Sequence, residues 1–424
     1  MAGELWDLTA TEAARRIGAG RLRAEELIEA CLARIAEREP AVRAFAHLDP
    51  SAARMAASSA RSGGPLRGIP VGVKDVLDTA DMPSQYGSPI WSGWCPRADS
   101  APVAWAREAG AVVIGKTVTT EFATRTPGPT TNPHNPAHTP GGSSSGSAAG
   151  VADGFFPLAY GTQTAGSIIR PAAYCGVVGY KPSFGMIDRS GMKIMASSLD
   201  TVGVMARSVA DCALFAGAVA ARDLGDPEQK PGRSPRVGIC RSPTWSTADA
   251  TTQGLLERVA GQLARAGADV ADRELPPDYA DLVEAHPIIM NTESARALGW
   301  EMAHARDRLS PVLRERMEWG LDQTEAARDR AYAVFARTQA GFPDVTDQLD
   351  ILVTPSAPGE APAGLGWTGD PALNFIWTSL HVPCVTVPAG TGPSGLPLGI
   401  QVVGRRGEDR AVLAWAQWVA SAIG

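Results

Sequence analysis

Two runs of small residues constrain this chain most. Gly141-Gly142-Ser143-Ser144-Ser145-Gly146-Ser147-Ala148-Ala149-Gly150 is the densest, and Gly161-Thr162-Gln163-Thr164-Ala165-Gly166-Ser167-Ile168-Ile169-Arg170-Pro171 follows closely. Backbone without bulky side chains can approach other backbone. In the second run a serine follows Thr-Ala-Gly, where several N–H groups can converge, as an oxyanion hole requires. Each run also has a plain structural reading: a flexible Ser-rich turn for the first, tight packing at Ala165 and Gly166 for the second. The first run lacks the Gly-Lys-Ser/Thr ending of a P-loop and the glycine order of a dinucleotide site.

The rest of the chain bounds the context. Its 424 residues are 44% hydrophobic and 20% charged, ordinary usage for a folded α/β protein with a sizeable core. A net charge of −6 from 39 basic and 45 acidic residues suggests neither a nucleic-acid nor an anionic-membrane surface. The six cysteines, at 31, 95, 175, 212, 240 and 384, form no CxxC pair and no compact disulfide framework. The N-terminal stretch MAGELWDLTATEAARR lacks the charge and apolar runs of a signal peptide, and no run is long enough to span a membrane. The expectation is a reduced, cytoplasmic protein.

Periodicity outlines the elements. Residues 1–60 read as helices, with capping-box spacing at Thr9 and Glu12 and a helical face of Leu27, Ile28, Cys31, Leu32 and Ile35. Residues 71–74 and 111–114 read as buried strands, with a helical segment near 103–108. Pro127 to Gly154 reads as a long irregular segment of the kind that carries function. A helix capped by Ser208 follows, then a βαβ-like unit from 236 to 273. Residues 276–348 read as a helical layer, either a cap or an ordinary peripheral one. Strands return at 351–353, 384–387 and 398–403 before a C-terminal helix. Strands from both ends flank the helical region, which favours one sheet built from both halves of the chain.

A serine nucleophile needs a base. Of the six histidines, at 47, 134, 138, 286, 304 and 381, His134 and His138 have i,i+4 spacing, but the surrounding prolines forbid a regular helix. No HExxH occurs, and neither a metal nor a cofactor is expected. The other candidate is Lys74, beside Val71-Gly72-Val73, where burial would lower its pKa toward a usable base. A solvated lysine at a strand end is the alternative reading.

Together these residues resemble the amidase signature family. The resemblance is carried by Gly141 to Ala149, by Gly161 to Ala172 and by Cys175-Gly176-Val177-Val178-Gly179-Tyr180-Lys181-Pro182. It extends to Gly72-Val73-Lys74-Asp75, Gly110 to Thr117, Asp350 to Pro355 and Leu398 to Gly404, and is weakest from about 225 to 348. It implies a single α/β domain over 1–424: a central mixed β-sheet covered on both sides by helices, with a catalytic core at 65–210, a variable cap-like region at 276–348 and a C-terminal part at 349–424. It implies a Ser-cis-Ser-Lys triad of Ser167 as nucleophile, Ser143 as bridging serine and Lys74 as base, with Ser144 the second candidate for the bridge. Backbone N–H groups of Thr164, Ala165, Gly166 and Ser167 would form the oxyanion hole. The chain departs from the family in three places: Gln163 stands where aspartate is common, Arg170 follows the nucleophile by three residues rather than two, and Ser145 replaces a usual glycine.

The implied activity is hydrolysis of a linear aryl or alkyl amide through an acyl-enzyme. Carbamates and hydrazides are the alternatives, and a glutaminase-type subunit of an amidotransferase complex is a further one. Among eleven tryptophans, Trp91, Trp94 and Trp377 lie in loop-like stretches that suit a substrate pocket. The expected partner is a small-molecule amide, not nucleic acid or membrane, and a homodimer is left open.

Overall fold

The computed structural model describes residues 4–60 and 63–424; residues 1–3 of the N-terminal stretch, and residues 61–62, lie outside the described residues. Eleven strands form one mixed sheet: β1 (Phe45–Leu48), β2 (Pro70–Lys74), β3 (Val112–Thr117), β4 (Leu158–Gln163), β5 (Val178–Lys181), β6 (Thr201–Ala206), β7 (Arg236–Ile239), β8 (Asp269–Asp272), β9 (Ile351–Pro355), β10 (Cys384–Thr391) and β11 (Pro397–Val403). Their order across the sheet is β1-β3-β2-β4-β6-β5-β10-β11-β9-β7-β8. The β2–β3, β2–β4, β7–β8 and β7–β9 pairs are parallel, and the other pairs are antiparallel. The β5–β10 pair, with Cys384 opposite Lys181, joins the two halves of the chain into one sheet.

Alternation along the strands divides the core into two layers. Ile351 and Val353 of β9, and Ile400 and Val402 of β11, face one apolar cluster. Leu352 and Val403, one step along, face the other. The first layer holds the helices Ala24–Val42, Val209–Ala220, Ala250–Arg265 and Asp409–Ile423. The second holds Leu282–Ala297 and Glu325–Val345.

Local signals mark the helix starts. Thr9 accepts a hydrogen bond from the Glu12 N–H, and Ser208 accepts one from the Asp211 N–H. The Glu12 carboxylate does not complete the expected box; it pairs with Arg15 and Arg16. The segment from Pro127 to Gly154 is not irregular throughout, because Ser145–Ala152 is a helix. This helix fits against the sheet only because its side chains are small. A Cβ at Gly146 would lie 2.1 Å from the Ala44 carbonyl oxygen, and one at Gly150 would lie 2.2 Å from the Phe156 ring. Between β8 and β9 the chain forms the helices Leu282–Ala297, Gly299–His304, Pro311–Leu321 and Glu325–Val345. Among the described residues, no helix is long and apolar enough to cross a membrane.

Candidate active site

The strand order brings separated residues to one place. Lys74 ends β2, and β2 runs parallel to β4, whose exit loop leads through Ser167 into the helix Ile169–Tyr174. Ser143 lies just before the helix Ser145–Ala152, and the Gly142–Ser143 peptide is cis. The Ser144 N–H donates to the Ser167 carbonyl at 3.4 Å, so the two serine loops touch.

Lys74 is fully buried, and its Nζ donates to Ser143 Oγ at 2.7 Å, to Thr162 Oγ1 at 2.7 Å and to the Thr162 carbonyl at 3.3 Å. Burial holds its pKa well below the usual lysine value, with Asp200 pulling weakly the other way. Lys116 is also buried, but it faces the Asp75 carboxylate at 3.2 Å. Among the described residues, Lys74 has no such partner. The Ser144 hydroxyl, by contrast, bonds to the Thr162 backbone, accepting from its N–H at 3.2 Å and donating to its carbonyl at 3.3 Å. Ser145 Oγ donates to the Val118 carbonyl.

The loop 164–167 is held by its carbonyls and side chains. His286 donates to the Thr164 carbonyl at 3.0 Å, and burial lowers its pKa to about 4, so the imidazole is neutral. Thr164 Oγ1 donates to Asp200 at 2.5 Å, and Thr378 Oγ1 donates to the Ala165 carbonyl at 2.8 Å. A Cβ on Gly166 would sit 2.5 Å from Asn374 Oδ1. Among the described residues, the N–H groups of Thr164, Ala165, Gly166 and Ser167 donate to no protein acceptor.

Gln163 explains one departure from the family pattern. Its Oε1 accepts from the N–H groups of Ile168 at 2.9 Å and Ile169 at 3.1 Å, while its Nε2 donates to Thr378 Oγ1 at 2.9 Å. A neutral amide thus satisfies two backbone donors at the start of the helix after Ser167. Arg170 donates through Nη2 to the Gly142 carbonyl at 2.8 Å and to Thr368 Oγ1 at 3.4 Å.

Ser167 opens onto a cavity. Thr164 and Ala165 line it on the Ser167 side, Met290, Asn291 and Ser294 from one helix, Arg316 and Met317 from another, and Trp367 and Thr368 from the segment before Phe375–Ser379. None of the three tryptophans expected at a pocket lines it. Trp377 is fully buried against Phe342, with its indole N–H donating to the Leu373 carbonyl, so it has no face left for a substrate. Trp91 packs with Tyr86, Trp94 and Trp300, and donates to Glu301 at 3.0 Å. Trp94 belongs to this cluster and is exposed. Trp367 is the tryptophan that lines the cavity. No motif points to it, nor to Arg316, which reaches the cavity from the region of weakest resemblance.

His134 and His138 each bond to a backbone carbonyl, of Cys175 at 2.9 Å and of Ala361 at 2.7 Å. Among the described residues, no cluster of His, Cys, Asp and Glu is arranged to hold a metal.

Known proteins share this architecture. A family model described as "Amidase" matches residues 26–413. The chain is 34% identical over 466 residues to a glutamyl-tRNA(Gln) amidotransferase subunit from Chloroflexus aurantiacus, covering 97% of this chain and 95% of the relative. Among solved structures, it resembles one described as an amidase, with a TM-score of 0.90, 29% identity and coverage of 98% and 100% of the two chains. It also resembles the peptide amidase of Stenotrophomonas maltophilia, with a TM-score of 0.82, 30% identity and coverage of 98% and 97%.

Proposed function

The chain belongs to the amidase family of C–N hydrolases, and from that premise we propose that it hydrolyses a linear amide through an acyl-enzyme on Ser167. The observation that carries this reading is the buried Lys74, with its Nζ 2.7 Å from Ser143 Oγ and no carboxylate partner among the described residues. Neutral Lys74 accepts the Ser143 proton as Ser143 accepts that of Ser167. Ser167 Oγ then attacks the amide carbon, and its oxygen becomes an oxyanion facing the N–H groups of the 164–167 loop. Each such donor is typically worth about 10²–10³ in rate. The C–N bond breaks as the relay returns a proton to the leaving nitrogen. Water, deprotonated by the same relay, hydrolyses the ester and releases the acid.

Ser144 is the weaker choice for the bridge, since its hydroxyl is engaged by the Thr162 backbone. Carbamates and hydrazides fit the same steps. The deciding experiment is amine release from a panel of anilides, primary amides, glutamine, aryl carbamates and hydrazides, using wild type and Ser167→Ala. Release by the wild type alone is expected; comparable release by the variant contradicts the reading.

A second reading rests on the 34% identity to the Chloroflexus aurantiacus amidotransferase protein: a glutaminase-type role in which ammonia passes to a partner. It requires ammonia release from glutamine, and partner proteins that co-purify with this chain.

A further inference from the structure

The cavity beside Ser167 carries an excess of positive charge that the proton relay does not use. Arg125, Arg170 and Arg316 all line it, and among the described residues no aspartate or glutamate does. Among the described residues, none of the three forms a salt bridge. Arg170 is 4% exposed, and its Nε and Nη1 are buried with no hydrogen-bond partner. Arg316 spends its Nε and Nη2 on one neutral acceptor, Asn291 Oδ1, at 3.1 and 2.8 Å. Burial lowers both guanidinium pKa values to about 10, and the charge of Arg125 opposes each of them. Asp370 acts on Arg170 at longer range, but its Oδ1 accepts from the Ala372 N–H, and Asp370 does not line the cavity.

Arg170 is buried, Arg316 half-buried and Arg125 exposed at the rim; burying the unpaired donors of Arg170 beside further positive charge is costly unless something arrives to satisfy them. An arginine remains charged at any working pH, so deprotonation gives no relief. An anion would satisfy the unpaired donors and the charge together. The remaining walls, with Met195, Met290, Met317 and Trp367, suit a short apolar body. We propose that the substrate of this site is an anionic amide, one whose carboxylate sits among Arg125, Arg170 and Arg316 while its amide carbon meets Ser167. The half-amide of a small dicarboxylic acid has this chemistry. The lining offers no carboxylate to a substrate ammonium group, which disfavours a zwitterionic amino-acid amide. This inference rests on the hydrolase reading above for which group reacts, but not for which group binds.

The test separates the two. Calorimetric titration of Ser167→Ala with malonamate, succinamate and glutaramate, and with the matching neutral diamides, reads binding without turnover. At least one half-amide should bind about tenfold or more tighter than its diamide, the scale of a charge-assisted hydrogen bond. Adding Arg316→Gln, or Arg125→Gln if that protein misfolds, should remove most of the preference by weakening half-amide binding far more than diamide binding. Equal affinities, no detectable half-amide binding, or a preference that survives both substitutions overturns the proposal. If wild type cleaves neutral amides without favouring half-amides, the hydrolase reading stands and this inference falls. If half-amides bind selectively but wild type releases no amine from any of them, the anion site stands and the hydrolase reading falls.

Discussion

Gln163 Oε1 lies 2.9 Å from the N–H of Ile168, the residue after the candidate nucleophile, and 3.1 Å from that of Ile169. A side chain from the end of β4 therefore fixes the backbone that carries Ser167. Its other end joins Thr378, which holds the Ala165 carbonyl. One amide thus ties together the turn that carries Ser167 and the loop proposed as the oxyanion hole.

Gln163→Leu keeps the bulk but removes both functions. Two buried N–H groups lose their acceptor, at a cost of about 1–3 kcal/mol each. The expected result is a lower melting temperature and a kcat reduced about tenfold or more, with KM little changed, since Gln163 does not line the cavity. Steady-state kinetics check this, and an unchanged kcat would separate Gln163 from the positioning of Ser167.

Ser143 and Ser144 should separate cleanly. Ser143→Ala breaks the contact to Lys74 and should cut the rate by about 10² or more. Ser144→Ala loses its bonds to the Thr162 backbone, which costs about 1 kcal/mol of stability but leaves the relay in place. Paired kinetics and thermal melts distinguish them, and the opposite pattern would move the bridge to Ser144.

As the proposed base, Lys74 should link activity to stability through pH. Its folded pKa lies well below the 10.5 of a free lysine, so between those values the unfolded chain holds a proton that the folded chain does not. Stability contributed by this group therefore rises with pH across that window and is lost as pH falls through it. Lys74→Met removes the penalty: it should be inactive yet gain melting temperature, most at low pH and least near pH 10.5. The wild-type rate should show an acid limb from a base well below the usual lysine range. Thermal melts and rates over a pH series check both, and a gain that grows with pH would contradict the assignment.

Two tryptophans in contrasting settings can be compared side by side. Trp377→Ala should destabilise by about 3–5 kcal/mol, as for a large core aromatic. Trp367→Ala should leave stability nearly unchanged and alter substrate preference, since Trp367 lines the cavity and is exposed. Melting temperatures and the amide panel decide between them, and reversed effects would return Trp377 to the pocket.

Much of the frame is legible in local pattern. The apolar runs at 71–74, 351–353 and 398–403 read as strands because a strand buried on both faces has no polar alternation to lose. The capped helix at Ser208 announces its own start. The helix Ser145–Ala152 escapes a reading by pattern because glycine and serine have poor intrinsic propensity; close packing against Ala44 and Phe156 decides it. Lys74, Ser143 and Ser167 stand out through short motifs, whereas Arg316 and Trp367 meet Ser167 only through tertiary packing of distant segments. The setting of Trp377 is hidden from the sequence for a related reason. Loop-like sequence around Trp377 does not reveal that Phe342, from a helix in the weakly matching region, covers it.

The most direct test of the account is covalent labelling with a fluorophosphonate, followed by peptide mass mapping. A single adduct on Ser167, absent from Ser167→Ala and formed much more slowly by Lys74→Ala, is the predicted result. An adduct on another residue, or undiminished labelling of Ser167→Ala, would contradict Ser167 as the nucleophile.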